Sequence, residues 1–339
     1  LYTKSPKETD HRYFYARFDG RKWISSEICK SGKWFPQTPE GKVEPEPHYF
    51  GGLTLHPSNP NVVYLSRQIN GVFEIERRET SDGGKTWKRT LGDAEWTGAT
   101  DLLIDPRDPN VLYAATWQRH RTVAMYLGGG PGSGIHKSTD GGETWTKLTS
   151  GIPKSNLGKI GLAMSHFDPN TIYAAIELDR TKGGVFISKN QGLTWKKQSD
   201  AVSGGTGPHY YQELYASPHH NGRLYLMNNY VQISEDHGKT FYTMNEKNKH
   251  VDSHAMAFKK SDPNYVLFGT DGGLYESFDL TSKWKYVGNL PVTQYYKVAV
   301  DDSEPFYKIY GGTQDTGSHG GPSRTLSSTG ILNSDWWIT

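Results

Sequence analysis

One eight-residue pattern recurs along the chain and restricts its fold more than any other feature. The pattern is Ser/Thr-x-Asp-x-Gly-x-Thr-Trp, here called the box, and its copies occupy residues 80–87, 138–145, 188–195, 234–241 and 277–284. Successive copies start 58, 50, 46 and 43 residues apart. A motif that returns every 40–50 residues or so is typical of a repeat architecture.

A second pattern precedes each box and indicates a β-hairpin. It reads LTLHPSNPNVVYL at 53–65 and LLIDPRDPNVLYA at 102–114, with looser copies at 162–174, 214–226, 255–268 and 298–310. Each copy is a short apolar strand, a Pro/Asn/Asp turn and a second apolar strand. A third strand, the box and a short fourth strand follow. Four antiparallel strands per repeat predict an all-β fold, a β-propeller of about six to seven blades. The opening hairpin at 13–23 either completes the last blade or belongs to a seventh.

The box itself is predicted to be the turn between the third and fourth strands. Its Asp can accept hydrogen bonds from the amides of the turn, its Gly supplies a positive φ, and its Trp packs between blades. The fifth box lacks the Gly, so its turn is expected to differ in shape. The residues expected to have this structural role are Asp82, Trp87, Asp140, Trp145, Asn190, Trp195, Asp236, Phe241, Asp279 and Trp284.

Composition excludes several classes of function. The formal net charge is +2 with no block of like charges, so nothing marks a nucleic-acid binder. No run of about 18 apolar residues occurs, so no membrane span is expected. The single Cys29 excludes an internal disulfide framework. No motif predicts a cofactor or a metal. Because the chain begins at Leu1, we expect residues 1–339 to be one propeller cut from a longer chain.

The box resembles the Asp-box, or BNR, repeat of sialidases, xyloglucan-cleaving hydrolases and the sortilin ectodomain. Residues 96–339 are most similar to bacterial sortilin-like propellers often labelled glycosyl hydrolases, through runs such as WTGATDLLIDP (96–106), ATWQRHRTV (115–123) and GGTQDTGSHGGPSR (311–324). Residues 1–90 also resemble a BNR group linked to polysaccharide breakdown, which predicts a seam between two sequence patterns near 88–96. The resemblance implies an extracellular, periplasmic or cell-surface location in a bacterium.

Ligands of propellers usually meet the loops that enter the innermost strands and those that join the second and third strands. This rule selects four candidate catalytic carboxylates, if the protein is an enzyme: Asp101, Glu213, Asp252 and Asp315. The same rule selects candidate ligand-binding residues, which are Arg119, Arg121, His209, Tyr210, Tyr211, His254 and Gln314.

Each of these candidates has a structural alternative. Asp252 and His254 lie two residues apart and share a face if the chain is extended. They can be a base and its orienting partner, two metal ligands, or a hydrogen-bonded pair that anchors a strand. The glycine-rich loop before Tyr211 presents aromatic platforms or is a tight turn. Gln314 and Asp315 either point inward or form an Asx turn. Arg119 and Arg121 either hold an acidic ligand or pair with acidic side chains of the next blade.

These residues leave three functions open. The favoured one is a binding module for a polysaccharide, peptide or protein ligand. The alternative is a glycoside hydrolase, which needs two carboxyl groups about 5–10 Å apart across one bond. A lesser alternative is a polysaccharide lyase, in which His48 or Tyr49 removes a proton beside a carboxylate held by Arg67. A sialidase is disfavoured because three arginines at matching strand positions are not found.

Overall fold

Antiparallel β-strands make up nearly all the regular structure. The computed structural model describes residues 2–7, 10–32, 53–56, 59–69, 72–80, 96–121, 124–179, 182–203, 211–288, 295 and 297–338. Within these ranges every regular element is a strand except one 3-10 turn at Asn333–Asp335, and no helix there is long and apolar enough to cross a bilayer.

The described strands form seven sheets that follow one another along the chain, together with one two-stranded ribbon. Sheet 1 contains β1 (Tyr2–Lys7), β2 (Asp10–Phe18) and β3 (Trp23–Gly32), and sheet 2 contains β4 (Leu53–Leu55), β5 (Val62–Ile69) and β6 (Val72–Glu79). Sheet 3 contains β7 (Thr97–Ile104), β8 (Leu112–Gln118), β11 (Gly134–Ser138) and β12 (Thr146–Leu148), with the short ribbon β9 (His120–Arg121) and β10 (Tyr126–Leu127) inserted after β8.

Four more sheets have four strands each, paired in chain order. Sheet 4 contains β13 (Ile160–Met164), β14 (Ile172–Asp179), β15 (Lys182–Ser188) and β16 (Lys196–Ser199). Sheet 5 contains β17 (Leu214–Ala216), β18 (Leu224–Leu226), β19 (Gln232–Ser234) and β20 (Tyr242–Thr243). Sheet 6 contains β21 (Ser253–Phe258), β22 (Val266–Thr270), β23 (Gly273–Ser277) and β24 (Lys285–Tyr286). Sheet 7 contains β25 (Lys297–Val300), β26 (Lys308–Gly312), β27 (Ser318–Pro322) and β28 (Trp337–Ile338).

The all-β propeller expected from the repeats is therefore confirmed. The opening segment forms a sheet of its own, with the hairpin turn at Asp19 and Gly20 that its sequence predicts. Tyr13 and Ile28 of this sheet pack against Val63 of sheet 2. The opening strands thus supply a seventh sheet.

Consecutive sheets pack face to face, which explains the apolar runs in their second strands. In β14, residues 172–177 are all buried, because this strand is covered on both faces by the neighbouring sheets. Ile172 and Ile176 pack with Tyr113 of sheet 3, whereas Tyr173 and neighbours pack with Leu224 of sheet 5. A strand covered on one face only would alternate between apolar and polar residues.

The first strands of sheets 3, 4 and 5 lie side by side, so they form the innermost layer there. Strand β13 contacts both β7 and β17. Thr100 Oγ1 donates to the carbonyl of Ile160 at 3.2 Å. A Cβ atom on Gly161 would lie 1.9 Å from the carbonyl oxygen of Gln212. Only glycine allows the backbones of sheets 4 and 5 to approach this closely.

The boxes form the turns that the sequence predicts. In the second box, Ser138 Oγ accepts from the Gly142 amide at 2.8 Å, and Asp140 Oδ1 accepts from the Thr144 amide at 2.9 Å. The third and fourth boxes repeat both bonds, with Asn190 replacing Asp in the third box. The glycines have φ values of +86°, +83° and +84° at Gly142, Gly192 and Gly238.

The aromatic residue that ends each described box packs against the apolar layer between sheets. Trp195 is buried, and its Nε1 donates to the Gly192 carbonyl at 3.0 Å. The other three are partly buried at the edge of the same layer, namely Trp145, Phe241 and Trp284. Asp82 and Trp87 of the first box lie outside the described residues.

The expectation of a different turn in the fifth box is wrong. Thr281 occupies the glycine position at φ +76°. Its amide donates to Ser277 Oγ at 3.0 Å, and the Lys283 amide donates to Asp279 Oδ1 at 2.8 Å. The Ser and Asp side chains therefore hold the turn without the glycine, and the left-handed threonine costs about 1–2 kcal/mol.

Candidate functional site

The antiparallel pairing sorts the loops of every sheet into two ends. At one end, here called the front rim, the first strand begins and the second and third strands are joined. The boxes join the third and fourth strands at the opposite end, here called the box end. The candidate residues all come from the front rim or from the first strands just below it, whereas the boxes lie away from them.

An acidic pair and a lysine lie on, or immediately before, the innermost strands of sheets 3, 4 and 5. Lys159 Nζ donates to Glu213 Oε1 at 2.6 Å, and the other oxygen, Glu213 Oε2, is buried without a hydrogen-bond partner among the described residues. Asp101 Oδ2 accepts from the Leu162 amide at 2.7 Å, and its Oδ1 accepts from the Leu102 amide at 2.9 Å. Asp101 thereby ties the first strands of two sheets together.

The protonation of Asp101 is set by this environment. Burial, and to a smaller extent the charge of Glu213, raise the pKa of Asp101 to about 6. Its backbone hydrogen bonds and Lys159 oppose the shift. The Tyr215 hydroxyl belongs to the same cluster, since burial, then Glu213, raise the pKa of Tyr215 to about 12. These groups therefore interact electrostatically across three sheets.

Asp252 is anchored by two neighbours. Its Oδ1 accepts from the Tyr211 hydroxyl and, at 2.7 Å, from Asn229 Nδ2. Asp252 has a φ of +58°, so the chain is not extended there. The expected pairing of Asp252 with His254 does not occur, because the left-handed backbone turns the carboxylate towards Tyr211.

His254 has a different acidic partner, Asp271. Their Nε2 and Oδ1 atoms are 2.8 Å apart, and Asp271 comes from the turn between the second and third strands of the same sheet. The His254 ring stacks on the buried Tyr211 ring, with centroids 5.3 Å apart and planes inclined by 19°. Both His254 and Asp271 are a little over one-third exposed, so the stack presents one imidazole face at the front rim.

Two further aromatic–imidazole pairs lie at the front rim. Trp96 and His120 stack with centroids 4.3 Å apart in sheet 3. Tyr295 and His319 meet edge to face in sheet 7, and the Tyr295 hydroxyl is 3.0 Å from His319 Nδ1. All four rings are partly exposed. The front rim therefore presents planar rings and polar groups on three sheets.

Arg119 is held beside the first of these pairs. Its guanidinium lies 5.5 Å from the centroid of Trp117 and 6.0 Å from that of Tyr126, which is cation–π geometry. The adjacent Arg121 forms part of β9, and its side chain lies outside what the structure describes.

The remaining candidates are dispersed. Gln314 and Asp315 are exposed on the turn between β26 and β27. The amide and the hydroxyl of Thr313 close this turn by donating to the Gly317 carbonyl at 3.0 and 2.8 Å. Asp315 makes no hydrogen bond or ion pair with the described residues. His209 and Tyr210, together with His48 and Tyr49, lie outside those residues. Within the described part of the chain, no cluster of three His, Cys, Asp or Glu side chains has the arrangement of a metal site.

Sequence reasoning missed Tyr230, an aromatic residue 56% exposed at the front rim. It follows Asn229 in the loop between β18 and β19, and this loop belongs to the class of loops that was expected to meet ligands. The run Asn228-Asn229-Tyr230 between two apolar strands is the signal that identifies it. Lys159 was missed because its partner, Glu213, is distant in sequence.

Comparison with known proteins supports the same architecture. A family model described as Sortilin-Vps10, sortilin, neurotensin receptor 3 matches residues 183–335. Xyloglucanase Xgh74A of Acetivibrio thermocellus is 27% identical over 262 residues, which cover 65% of this chain and 27% of that protein. The oligoxyloglucan-reducing end-specific xyloglucanase of Emericella nidulans is 23% identical over 194 residues, 44% of this chain and 24% of that protein. The chain thus spans about a quarter of the length of these relatives.

Among solved structures, the extracellular domain of a proposed hybrid two-component system of B. thetaiotaomicron is similar in fold. The TM-score is 0.51 at 13% identity, covering 93% of this chain and 39% of that chain. With the strand topology and the box turns, these matches confirm the resemblance to sortilin-like and glycosyl-hydrolase-like Asp-box propellers.

Proposed function

We propose that this propeller binds a plant-type β-glucan polysaccharide, of the xyloglucan class, at the front rim. The observation that supports it best is the Tyr211–His254 stack, flanked by Asp271, Asn229 and the exposed Tyr230. The C–H faces of pyranose rings pack on flat aromatic surfaces. Carboxylates accept hydrogen bonds from sugar hydroxyls, and side-chain amides both accept and donate them. The relatives named as xyloglucanases favour a polysaccharide over a peptide ligand. Because such polysaccharides lie outside cells, we also propose an extracellular location.

The carboxylates favour binding without cleavage. Glycoside hydrolysis needs two carboxyl groups facing one bond. Asp101 is occupied by two backbone amides, Glu213 by Lys159, and Asp252 by Tyr211 and Asn229. These contacts use the three groups to hold the fold, and Asp315 is the candidate that has no such contact with the described residues.

A hydrolase remains the second candidate because of one property of Asp101. A carboxyl group whose pKa is raised to about 6 by burial retains protons near neutral pH, as a general acid must. Glu213 is the nearby carboxylate that would act as its partner. In that case, Asp101 would donate a proton to the leaving oxygen and Glu213 would activate water.

Isothermal titration with xyloglucan oligosaccharides tests the binding proposal. His254→Ala and Tyr230→Ala should each weaken binding by about fivefold or more, since stacking contacts contribute on the order of 1 kcal/mol. The matched control is Tyr242→Ala, which removes another half-exposed tyrosine of sheet 5 at the box end and should leave binding unchanged. Absence of binding, or equal losses in all three variants, would contradict the proposal. Chromatographic detection of shortened oligosaccharides, lost in Asp101→Asn, would instead establish hydrolysis.

A further inference from the structure

A cavity opens at the box end between sheets 4 and 5, away from the front rim. Its volume is about 410 Å³, which falls within the range of ligand-binding pockets. Ile187 and Trp195 form its apolar wall, and His237 lies on the side of sheet 5. The third and fourth boxes therefore contribute most of its lining.

Among the described residues, the charged side chains that line this cavity are all cationic. They are Lys189, Lys196 and Lys239. All three are exposed, and none forms an ion pair or a side-chain hydrogen bond with any residue in the described ranges. Three ammonium groups around one cavity, in a chain whose overall formal charge is only +2, create a local positive potential.

The box fold does not require these lysines, as the neighbouring boxes show. At the corresponding place between the second and third boxes, the residues equivalent to Lys189, Lys196 and Lys239 are Thr139, Thr146 and Leu193. Between the fourth and fifth boxes the same positions hold Glu235, Tyr242 and Ser282. The turns are the same in all these boxes, so the cluster of lysines serves something other than folding.

The imidazole of His237 lies at the wall of the cavity and interacts with two of these lysines. Burial, and then the charges of Lys189 and Lys239, lower the pKa of His237. Its Nδ1 is 2.7 Å from the Tyr173 hydroxyl of sheet 4, which fixes the ring at the wall of the cavity. An anion bound between the lysines would change the environment of this ring.

We propose that the cavity between the third and fourth boxes binds the carboxylates of an acidic oligosaccharide, with Lys189, Lys196 and Lys239 as its anchors. Ammonium groups bind carboxylates through charge-assisted hydrogen bonds. The volume accommodates one or two sugar rings, and the similarity to polysaccharide-degrading propellers favours a uronate-containing glycan over an acidic peptide. This site lies at the opposite end of the sheets from the front rim. The proposal of acidic-glycan binding here can therefore be confirmed or contradicted independently of neutral β-glucan binding there.

Titration calorimetry of the full chain with tetragalacturonate at about 50 mM salt is the direct test. The triple variant Lys189→Gln, Lys196→Gln and Lys239→Gln should bind at least about tenfold more weakly, because three charge-assisted contacts are lost. The control is a triple variant with the same change in charge, which removes three exposed lysines outside the cavity: Lys154→Gln, Lys260→Gln and Lys283→Gln. Its affinity for tetragalacturonate should equal that of the wild type. Fully methyl-esterified tetragalacturonate has no carboxylates. The wild type should bind it about as weakly as the cavity triple variant binds unesterified tetragalacturonate.

Measurements on the wild type alone also decide the question, even if the triple variant does not fold. Tetragalacturonate should shift the NMR signals of the His237 imidazole, and added salt should weaken its binding. No binding by the wild type, or equal affinity in the triple variant, would overturn the site. Tetraglutamate binding as tightly as tetragalacturonate would overturn the assignment to a glycan.

Discussion

The hydroxyl of Tyr113 donates a hydrogen bond to the main-chain carbonyl of Gln191 at 3.1 Å and so joins the second strand of sheet 3 to the box of sheet 4. The same relationship recurs one sheet earlier, where Tyr64 donates to the Gly141 carbonyl at 3.1 Å. In the next sheet, the Tyr173 hydroxyl bonds to His237, which occupies the same box position. The second, third and fourth boxes therefore each hold their own turn and also receive a tyrosine from the preceding sheet.

This contact predicts a difference between two tyrosines. Tyr113→Phe should lower the free energy of unfolding by about 1 kcal/mol, because the partly buried hydrogen bond to the Gln191 carbonyl is lost. Lys137 Nζ still donates to that carbonyl at 3.1 Å, so no larger loss is expected. The Tyr225 hydroxyl is buried with no hydrogen-bond partner among the described residues, so Tyr225→Phe should change the stability by less than about 0.5 kcal/mol or increase it. Urea unfolding of both variants measures the difference. Equal losses would show that the contact between sheets contributes nothing.

The fifth box predicts an asymmetry between threonine and glycine. Gly238→Thr should destabilise the protein by about 2 kcal/mol or more, because a left-handed β-branched residue is strained and its Cβ would lie 2.7 Å from Val185 Cγ1. Thr281→Gly should change stability by less than about 1 kcal/mol, since relief of strain offsets the entropy cost of glycine. Thermal unfolding compares the two. If Thr281→Gly were as harmful as Gly238→Thr, the threonine side chain itself would stabilise this turn.

The repeats allowed most of the fold to be predicted, because hairpins and boxes are local structures. Asp140 and Thr144 lie four residues apart, so their hydrogen bond follows from turn chemistry alone. The contact between Tyr113 and Gln191 could not be predicted in this way. It spans 78 residues and depends on how far apart adjacent sheets pack.

The candidate site was predicted less completely for a similar reason. The rule about loops placed Asp101, Tyr211 and His254 at or near the front rim, but their partners come from other sheets or loops. The spacing of Asp252 and His254 suggested one shared face, whereas the positive φ of Asp252 separates them. A left-handed residue that is not glycine is not visible in a sequence pattern, because neighbouring contacts hold it in that conformation.

Acid should weaken the box turns. Hydrogen bonds from the Thr144 side chain and amide lower the pKa of Asp140 to about 2. The folded-state pKa is thus below the usual value of 3.8, so the carboxylate stabilises the fold above about pH 4, and this contribution is lost as the pH falls towards 2. Asp140→Asn should reduce the fall of Tm between pH 4 and pH 2, and Asn190 in the third box shows that asparagine fits the turn. An unchanged pH profile would mean that exposure screens this charge fully.

Asp101 predicts the opposite trend and a test of its coupling to Glu213. Because burial raises the folded-state pKa of Asp101 to about 6, the folded protein binds its proton more tightly than the unfolded chain, and this group makes the fold less stable as the pH rises from about 4 to 6. Glu213→Gln removes a charge that raises this pKa, so the pKa of Asp101 should fall, as carboxyl-carbon NMR titration can measure. The control Glu235→Gln removes an exposed carboxylate at the box end and should leave the pKa of Asp101 unchanged. If the pKa of Asp101 did not respond to Glu213→Gln, Glu213 would contribute nothing to it, and the two carboxyl groups would have no electrostatic contact across the innermost strands.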